Sequence, residues 1–182
     1  MDAAQMFRPL DEKESERYFH QLETLIEFAK QFGYTEPNDR AVVIVGHAFL
    51  DMLLRNILIE FLIDDEKEVD RLLEPDRPLG TYGSRVTACY CLGLIDEMVK
   101  TDLRLVGKIS NQFAHDLHAD FSDQKIGGWC KALRWHREFY MVPPPGATDR
   151  DLYQVGVNQL VCHLQGIPSI ARGVKRTRVL HT

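Results

Sequence analysis

The chain has 182 residues, of which 45% are apolar and 27% are charged. This balance is typical of globular proteins and unlike that of disordered chains, and the length predicts one domain. The formal charge of −5 argues against a protein that binds nucleic acid over its whole surface, because phosphate contacts need clustered Lys and Arg. The polar first 17 residues lack the apolar core of a signal peptide, so we expect a cytoplasmic protein.

The most apolar segment, residues 41–63, is interrupted by His47, Asp51, Arg55 and Glu60. A membrane span needs about 20 mostly apolar residues. We therefore interpret this segment as a buried helix and expect no membrane association.

Helical periodicity accounts for most of the chain, since apolar residues recur at three- and four-residue steps. The second helix is apolar over a wide face, which is typical of the central helix of a bundle. We expect Pro168 to kink or break the last helix, because proline lacks the backbone donor. We predict helices over residues 11–32, about 40–63, from 64–66 to near Pro75, about 84–92, about 96–115, from Ser122 or Asp123 onward, and from Thr148 to about Val174.

Capping residues support these bounds. Asn38 or Asp39 is the expected N-cap of the second helix, and Gly33 and Gly93 are expected to end the helices before them. The sequence Thr148-x-x-Asp151 resembles a capping box with Asp in place of Glu.

We therefore predict an all-α protein, a compact single-domain bundle of about six to seven helices. The expected parts are a helical core over residues 1–140, a proline-rich linker over 141–148 and a C-terminal helix with a basic tail over 149–182. The apolar helices are compatible with a homodimer.

The four cysteines are expected to be reduced and to be buried as small apolar groups. No second close cysteine pair completes a zinc site, and the two histidines His115 and His118 lack a suitably spaced third ligand. We expect neither a metal nor a cofactor. The cysteines are Cys89, Cys91, Cys130 and Cys162.

Charge is unevenly distributed, because no acidic residue follows Asp151. Residues 1–151 carry a net charge of −9, and the rest carries +4. The basic tail has three candidate targets, namely nucleic acid, an acidic partner or the acidic body of the protein itself. Its residues are candidate binding residues, but they also suit the C-terminal end of a helix. They are Arg172, Lys175, Arg176 and Arg178.

One polar triplet lies near the end of the fifth helix. Lys108, Asn111 and His115 are spaced by three and four residues and share a helical face. A cation, an amide and an imidazole side by side suit phosphate binding, and the imidazole suits acid–base chemistry near neutral pH. The alternative is structural, because Asn and His near a helix end often satisfy backbone carbonyls. Asp116, which follows, is a further candidate binding residue.

A second polar stripe lies on the apolar second helix, where His47, Asp51 and Arg55 are four residues apart. Asp51 and Arg55 are spaced for an ion pair, and the stripe can also be the one exposed face of this helix. If it faces the fifth helix, Asp51 is placed to orient His115 or to pair with Lys108. Arg85 is the third cation considered for that site.

Four stretches together resemble the mannitol operon repressor family over residues 40 to about 133. They are the aliphatic helix around Leu50-Asp51-Met52-Leu53-Leu54, the loop Pro78-Leu79-Gly80-Thr81-Tyr82, the turn Leu92-Gly93-Leu94-Ile95, and Asp102-Leu103 through Asn111-Gln112-Phe113-Ala114-His115. The resemblance implies a helical transcriptional regulator with no recognised DNA-binding motif. It favours a non-enzymatic repressor or co-repressor that binds a protein partner.

The same signature resembles, more distantly, the HEPN domains, which are helical RNA-binding or RNA-cleaving modules. Those domains use an Arg, four to six residues, and then a His. His115 fits this pattern, but Ser110 stands where an Arg is expected, and Lys108 is the nearby cation. Lys lacks the planar fork that clamps a phosphate, so the resemblance implies a degenerate site. A metal-independent ribonuclease and a toxin–antitoxin-like interaction module remain the alternatives to the regulator.

Overall fold

A computed structural model describes residues 12–33, 37–134, 143 and 145–177. These residues form seven α-helices and no β-strand, so the all-α prediction is confirmed. The helices are α1 (Glu12–Gln31), α2 (Asp39–Phe61), α3 (Glu66–Leu73), α4 (Tyr82–Cys91), α5 (Glu97–His115), α6 (Gln124–Ala132) and α7 (Asp149–Gly173).

Helix α2 lies at the centre of the bundle and contacts α1, α4, α5 and α7. Its most extensive contact is with α7, although more than 100 residues separate parts of the two helices. Within the described part of the chain, α2 is also the one helix long and apolar enough to cross a membrane. Its central position agrees with the predicted buried core helix, because a core helix has the same length and composition.

Gly46 allows three helices to approach closely on one side of α2. A Cβ atom at this position would lie 2.8 Å from the Phe32 ring and 3.3 Å from Val157. The Tyr153 hydroxyl, 3.2 Å from the same point, donates a hydrogen bond to the carbonyl of Val43. Gly46 therefore has a packing role at the contact of α1, α2 and α7.

The predicted helix starts agree with the caps. Asn38 accepts a hydrogen bond from the N–H of Ala41, and Asp123 accepts from the N–H groups of Lys125 and Ile126. Thr148 and Asp151 form the predicted reciprocal capping box at the start of α7. Each side-chain oxygen satisfies a backbone donor that the first helical turn leaves unpaired.

Two helix predictions are corrected. Helix α4 begins at Tyr82 and not near Ser84, because Thr81 and Ser84 form a capping box with Ser in the position usually held by Glu. Helix α7 continues through Pro168 to Gly173 without a break. Pro168 is buried together with Leu164, Ile167 and Ala171, so tertiary packing compensates for its missing hydrogen bond.

The expectation that all four cysteines are buried is wrong for two of them. Cys89 and Cys130 are buried, whereas Cys91 and Cys162 are exposed. Residues 135–142 and 144 lie outside the described residues, and they include Met141, Val142 and Pro144 of the predicted linker.

Candidate functional site

An open pocket of about 450 Å³ lies where α2, α4 and α5 meet. Each helix contributes polar groups from the part that faces its neighbours, and Val86 adds an apolar wall. No carboxylate is among the described residues that line it. The lining residues are His47, Thr81, Tyr82, Gly83, Val86, Arg104, Gly107, Lys108 and Asn111.

Helix α5 contributes Arg104, Lys108 and Asn111, which are spaced by four and three residues and so form one stripe. All three side chains are exposed. Neither Arg104 nor Lys108 has a hydrogen-bond or ion-pair partner in the described part of the chain. The nearby Glu97 is bound by Lys100, whose ammonium lies 2.6 Å from the Glu97 carboxylate. The hydrogen bond from Lys100 is the largest cause of the lowered pKa of Glu97, and Arg104 lowers this pKa only weakly.

Tyr82 forms the floor of the pocket and links α4 to α5. Its hydroxyl donates a 2.9 Å hydrogen bond to the backbone carbonyl of Leu103. The ring packs against α5 at Gly107, where a Cβ atom would lie 3.2 Å from the ring. Burial raises the pKa of Tyr82 well above its ordinary value, and the nearby Tyr153 and Asp51 raise it further. Tyr82 is therefore a neutral, positioned hydroxyl.

His47 reaches the pocket from α2. Its ring lies 4.2 Å from the Tyr82 ring, measured between centroids. Burial lowers the pKa of His47 below its ordinary value, and the Asp51 carboxylate one turn away acts in the opposite direction. His47 belonged to the predicted polar stripe of α2, and it is the member of that stripe that joins Lys108 and Asn111.

Asp51 pairs with Arg85, not with Lys108 or His115. The Arg85 side chain is 7% exposed, and its Nη1 donates to the Asp51 carboxylate. Its other donors bind the backbone carbonyls of Leu73 at 2.8 Å and Leu79 at 3.0 Å. Arg85 therefore joins α2 and α4 to the loop between α3 and α4 and does not line the pocket.

Arg55 forms a different contact from the predicted pair with Asp51. It bridges Asp70 at 3.2 Å and Glu74 at 3.1 Å, at the end of α3 and just beyond it. These groups are partly exposed, so Arg55 stabilises the position of α3 on the surface of α2.

His115 is the last residue of α5, is exposed, and does not line the pocket. Seven residues place it about 10 Å from Lys108 along the helix axis. Asp116 has a local role, because its side chain accepts the backbone N–H of His118 and its carbonyl accepts a 2.8 Å hydrogen bond from Arg40. Lys108 and Asn111 thus share a pocket with His47, and His115 lies outside that pocket.

The described part of the basic tail contacts the acidic body of the protein. Arg172 binds the buried Glu60 at 2.8 Å, and Lys175 binds Asp64 at 3.1 Å. Arg176 donates its backbone N–H to the carbonyl of Phe61 and lies over that ring. Arg178 lies outside the described residues.

Sequence reasoning missed Arg104 as a site residue. The four-residue spacing between Arg104 and Lys108 could have indicated it, because the same helical periodicity placed Lys108, Asn111 and His115 on one face. The triplet was extended toward the end of α5, whereas the pocket extends toward its middle. The part of α5 that lines the pocket depends on where α4 packs against α5.

No protein-family model matches the chain, and no curated protein sequence matches it. A search of solved structures finds a similar fold in the X-ray structure of the MtlR–HPr complex from Escherichia coli. The TM-score is 0.57 with 20% sequence identity, and the match covers 80% of this chain and 96% of that one. At this identity the likeness shows a common all-helical fold, which is that of MtlR, a regulator of a mannitol operon.

Proposed function

We propose that this protein is a regulator that acts by binding a small protein partner, as in the MtlR–HPr complex. The observation that carries the proposal is the shared fold, which extends over 96% of the neighbouring chain and is not confined to one motif. The four stretches of the sequence that resemble the mannitol operon repressor family lie inside this helical core and support the same conclusion.

The arrangement of the candidate catalytic residues favours binding over catalysis. Asp51 is engaged by Arg85, and His115 is an exposed residue at the end of α5. A general acid or base needs a positioned partner within hydrogen-bond reach of the reacting group. The described contacts of the basic tail with Glu60, Asp64 and Phe61 likewise favour a protein partner over direct operator binding.

An exposed apolar groove of about 540 Å³ supports a protein contact. Leu92, Ile170 and Val174 are 41%, 69% and 52% exposed and line this groove together. Clustered exposed apolar side chains mark interaction sites more often than scattered ones. We assign the contact with an HPr-type partner to this groove.

The test is isothermal titration calorimetry of the full chain with purified HPr, both from Escherichia coli and from the source organism of this protein. We expect saturable one-to-one binding that is weakened at least tenfold by Ile170→Asp. Leu117→Asp is the matched control, because Leu117 is 88% exposed and lies outside the groove. Absence of binding to either HPr, under conditions in which MtlR binds, would overturn the proposal, and equal losses in the two variants would overturn the assignment to the groove.

A further inference from the structure

The pocket between α2, α4 and α5 combines positive charge with a volume in the range of small-molecule sites. Arg104 and Lys108 lie one helical turn apart on α5, and both line the pocket. Like charges at this spacing repel each other and destabilise an isolated helix by a few tenths of a kcal/mol. In a chain of net charge −5, neither cation forms a hydrogen bond or an ion pair with a carboxylate among the described residues, although the charge of Arg104 acts weakly on Glu97, which is bound by Lys100. An anionic ligand would relieve this repulsion.

The first turn of α4, which also lines the pocket, adds neutral donors. The N–H groups of Tyr82 and Gly83, in the first turn of α4, have no acceptor in the residues that the structure describes. The Ser84 N–H, in contrast, is already bound by Thr81. Free N–H groups at the start of a helix complement the charge of Arg104 and Lys108 across the pocket.

The combination indicates an anion with more than one charge. The Arg guanidinium fits phosphate oxygens as a planar fork, and the Lys ammonium acts as a second point charge. A phosphate monoester carries between one and two negative charges at neutral pH, which suits two cations better than a single carboxylate does. The volume of about 450 Å³ lies within the range of small-molecule sites, and Val86 and the Tyr82 ring offer an apolar surface to an organic group.

We propose that Arg104, Lys108 and Asn111 bind the phosphate of a small phosphorylated metabolite in this pocket, with His47 and the first turn of α4 completing the site. The proposal is independent of the protein partner, because the pocket and the apolar groove share no lining residue.

The experiment follows backbone amide shifts of the full chain by nuclear magnetic resonance at constant ionic strength. The probes are inorganic phosphate, glycerol 3-phosphate and, as the uncharged comparison, glycerol. We expect saturable shifts of Gly83 and Gly107 with both phosphates, tighter binding of the ester, and no shift with glycerol. Equal binding of the two phosphates would show that the site binds free phosphate. That result would support the anion site and overturn the proposal that its ligand is a phosphorylated metabolite.

The variant R104Q/K108Q removes the two cations, and we expect it to weaken phosphate binding at least tenfold, since one charged hydrogen bond is worth roughly that factor. K67Q/R77Q is the matched control, because it removes the same charge from exposed residues outside the pocket. Equal weakening in both variants would show nonspecific attraction and overturn the proposal. Shifts of the same amides by a short single-stranded RNA, with none from either phosphate, would overturn it in favour of nucleic acid.

Discussion

The buried Arg85 binds the Asp51 carboxylate across 34 positions of the sequence and holds α4 against α2. Its remaining donors satisfy the carbonyls of Leu73 and Leu79, which fix the loop that leads into α4. The pocket depends on this contact indirectly, because Tyr82 and Gly83 lie in the first turn of the same helix.

Replacement of Arg85 is the first prediction. Arg85→Ala removes the cation from Asp51 and also the donors to the carbonyls of Leu73 and Leu79, so together these losses should lower the free energy of unfolding by about 3–5 kcal/mol. Urea denaturation followed by circular dichroism measures the loss. Arg55→Ala is the control, because its pairs with Asp70 and Glu74 are partly exposed and should cost at most about 1 kcal/mol. Equal losses in the two variants would contradict the structural role of Arg85.

The stability of the protein should depend on the protonation of His47. Burial lowers the pKa of His47 below its ordinary value of 6.5, despite the nearby Asp51, so the unfolded chain binds a proton more readily than the native protein does. The free energy of unfolding should therefore fall as the pH falls below about 6.5. His163, whose pKa is lowered by burial against the opposing effect of Asp96, contributes in the same direction.

The measurement is a series of urea denaturations between pH 7.5 and pH 5, on the wild type and on His47→Gln. We expect a smaller decrease of stability in the variant, since glutamine does not titrate. His163→Gln should also reduce the decrease in the free energy of unfolding as the pH falls. Identical pH profiles of the wild type and both variants would contradict the assignment.

The four thiols should separate into two reactive and two protected groups. Cys91 and Cys162 are exposed, whereas burial raises the pKa of Cys89 and of Cys130 to about 12. The thiolate is the reactive form, so a thiol reagent should label two cysteines in the native protein and four in denaturant. Mass spectrometry of the labelled peptides identifies them, and rapid native labelling of Cys89 would contradict the described burial.

In the described part of the tail, the contact of Arg172 with Glu60 should stabilise the fold more than the contact of Lys175 with Asp64 does. Arg172 binds Glu60, whose side chain is 5% exposed, whereas Lys175 binds Asp64, whose side chain is 97% exposed. Arg172→Ala should therefore cost about 1–3 kcal/mol, because the carboxylate of Glu60 is buried. Lys175→Ala should cost at most about 1 kcal/mol. Urea denaturation of the two variants tests this prediction, and a midpoint for Lys175→Ala at or below that for Arg172→Ala would contradict it.

RNA cleavage tests the ribonuclease alternative. We expect no metal-independent cleavage by the purified protein in EDTA between pH 5 and pH 8, because His115 is exposed and outside the pocket that Lys108 and Asn111 line, and because Asp51 is bound by Arg85. A known ribonuclease serves as the positive control. Cleavage by the wild type that is lost in His115→Ala would contradict the non-enzymatic function and would require Lys108 to replace the missing arginine.

The sequence by itself determined the helices and most of their starts, with the start of α4 as the exception. Asn38, Asp123 and the Thr148–Asp151 box are local signals, because a capping side chain binds backbone donors two or three residues away. The wide apolar face of α2 likewise predicted its central position. Pro168 shows the limit of a local rule, since the buried residue leaves α7 unbroken where propensity alone favours a break.

Only the tertiary structure decided which polar residues meet. Spacing favoured Arg55 as the partner of Asp51, yet Arg85 of the neighbouring helix binds it, and Arg55 binds Asp70 and Glu74. In the same way Lys108 joins Arg104 and His47 and not His115. Helical periodicity gives the face on which a side chain lies, but its partner depends on which helix packs against that face, and residues far apart in the chain determine that packing.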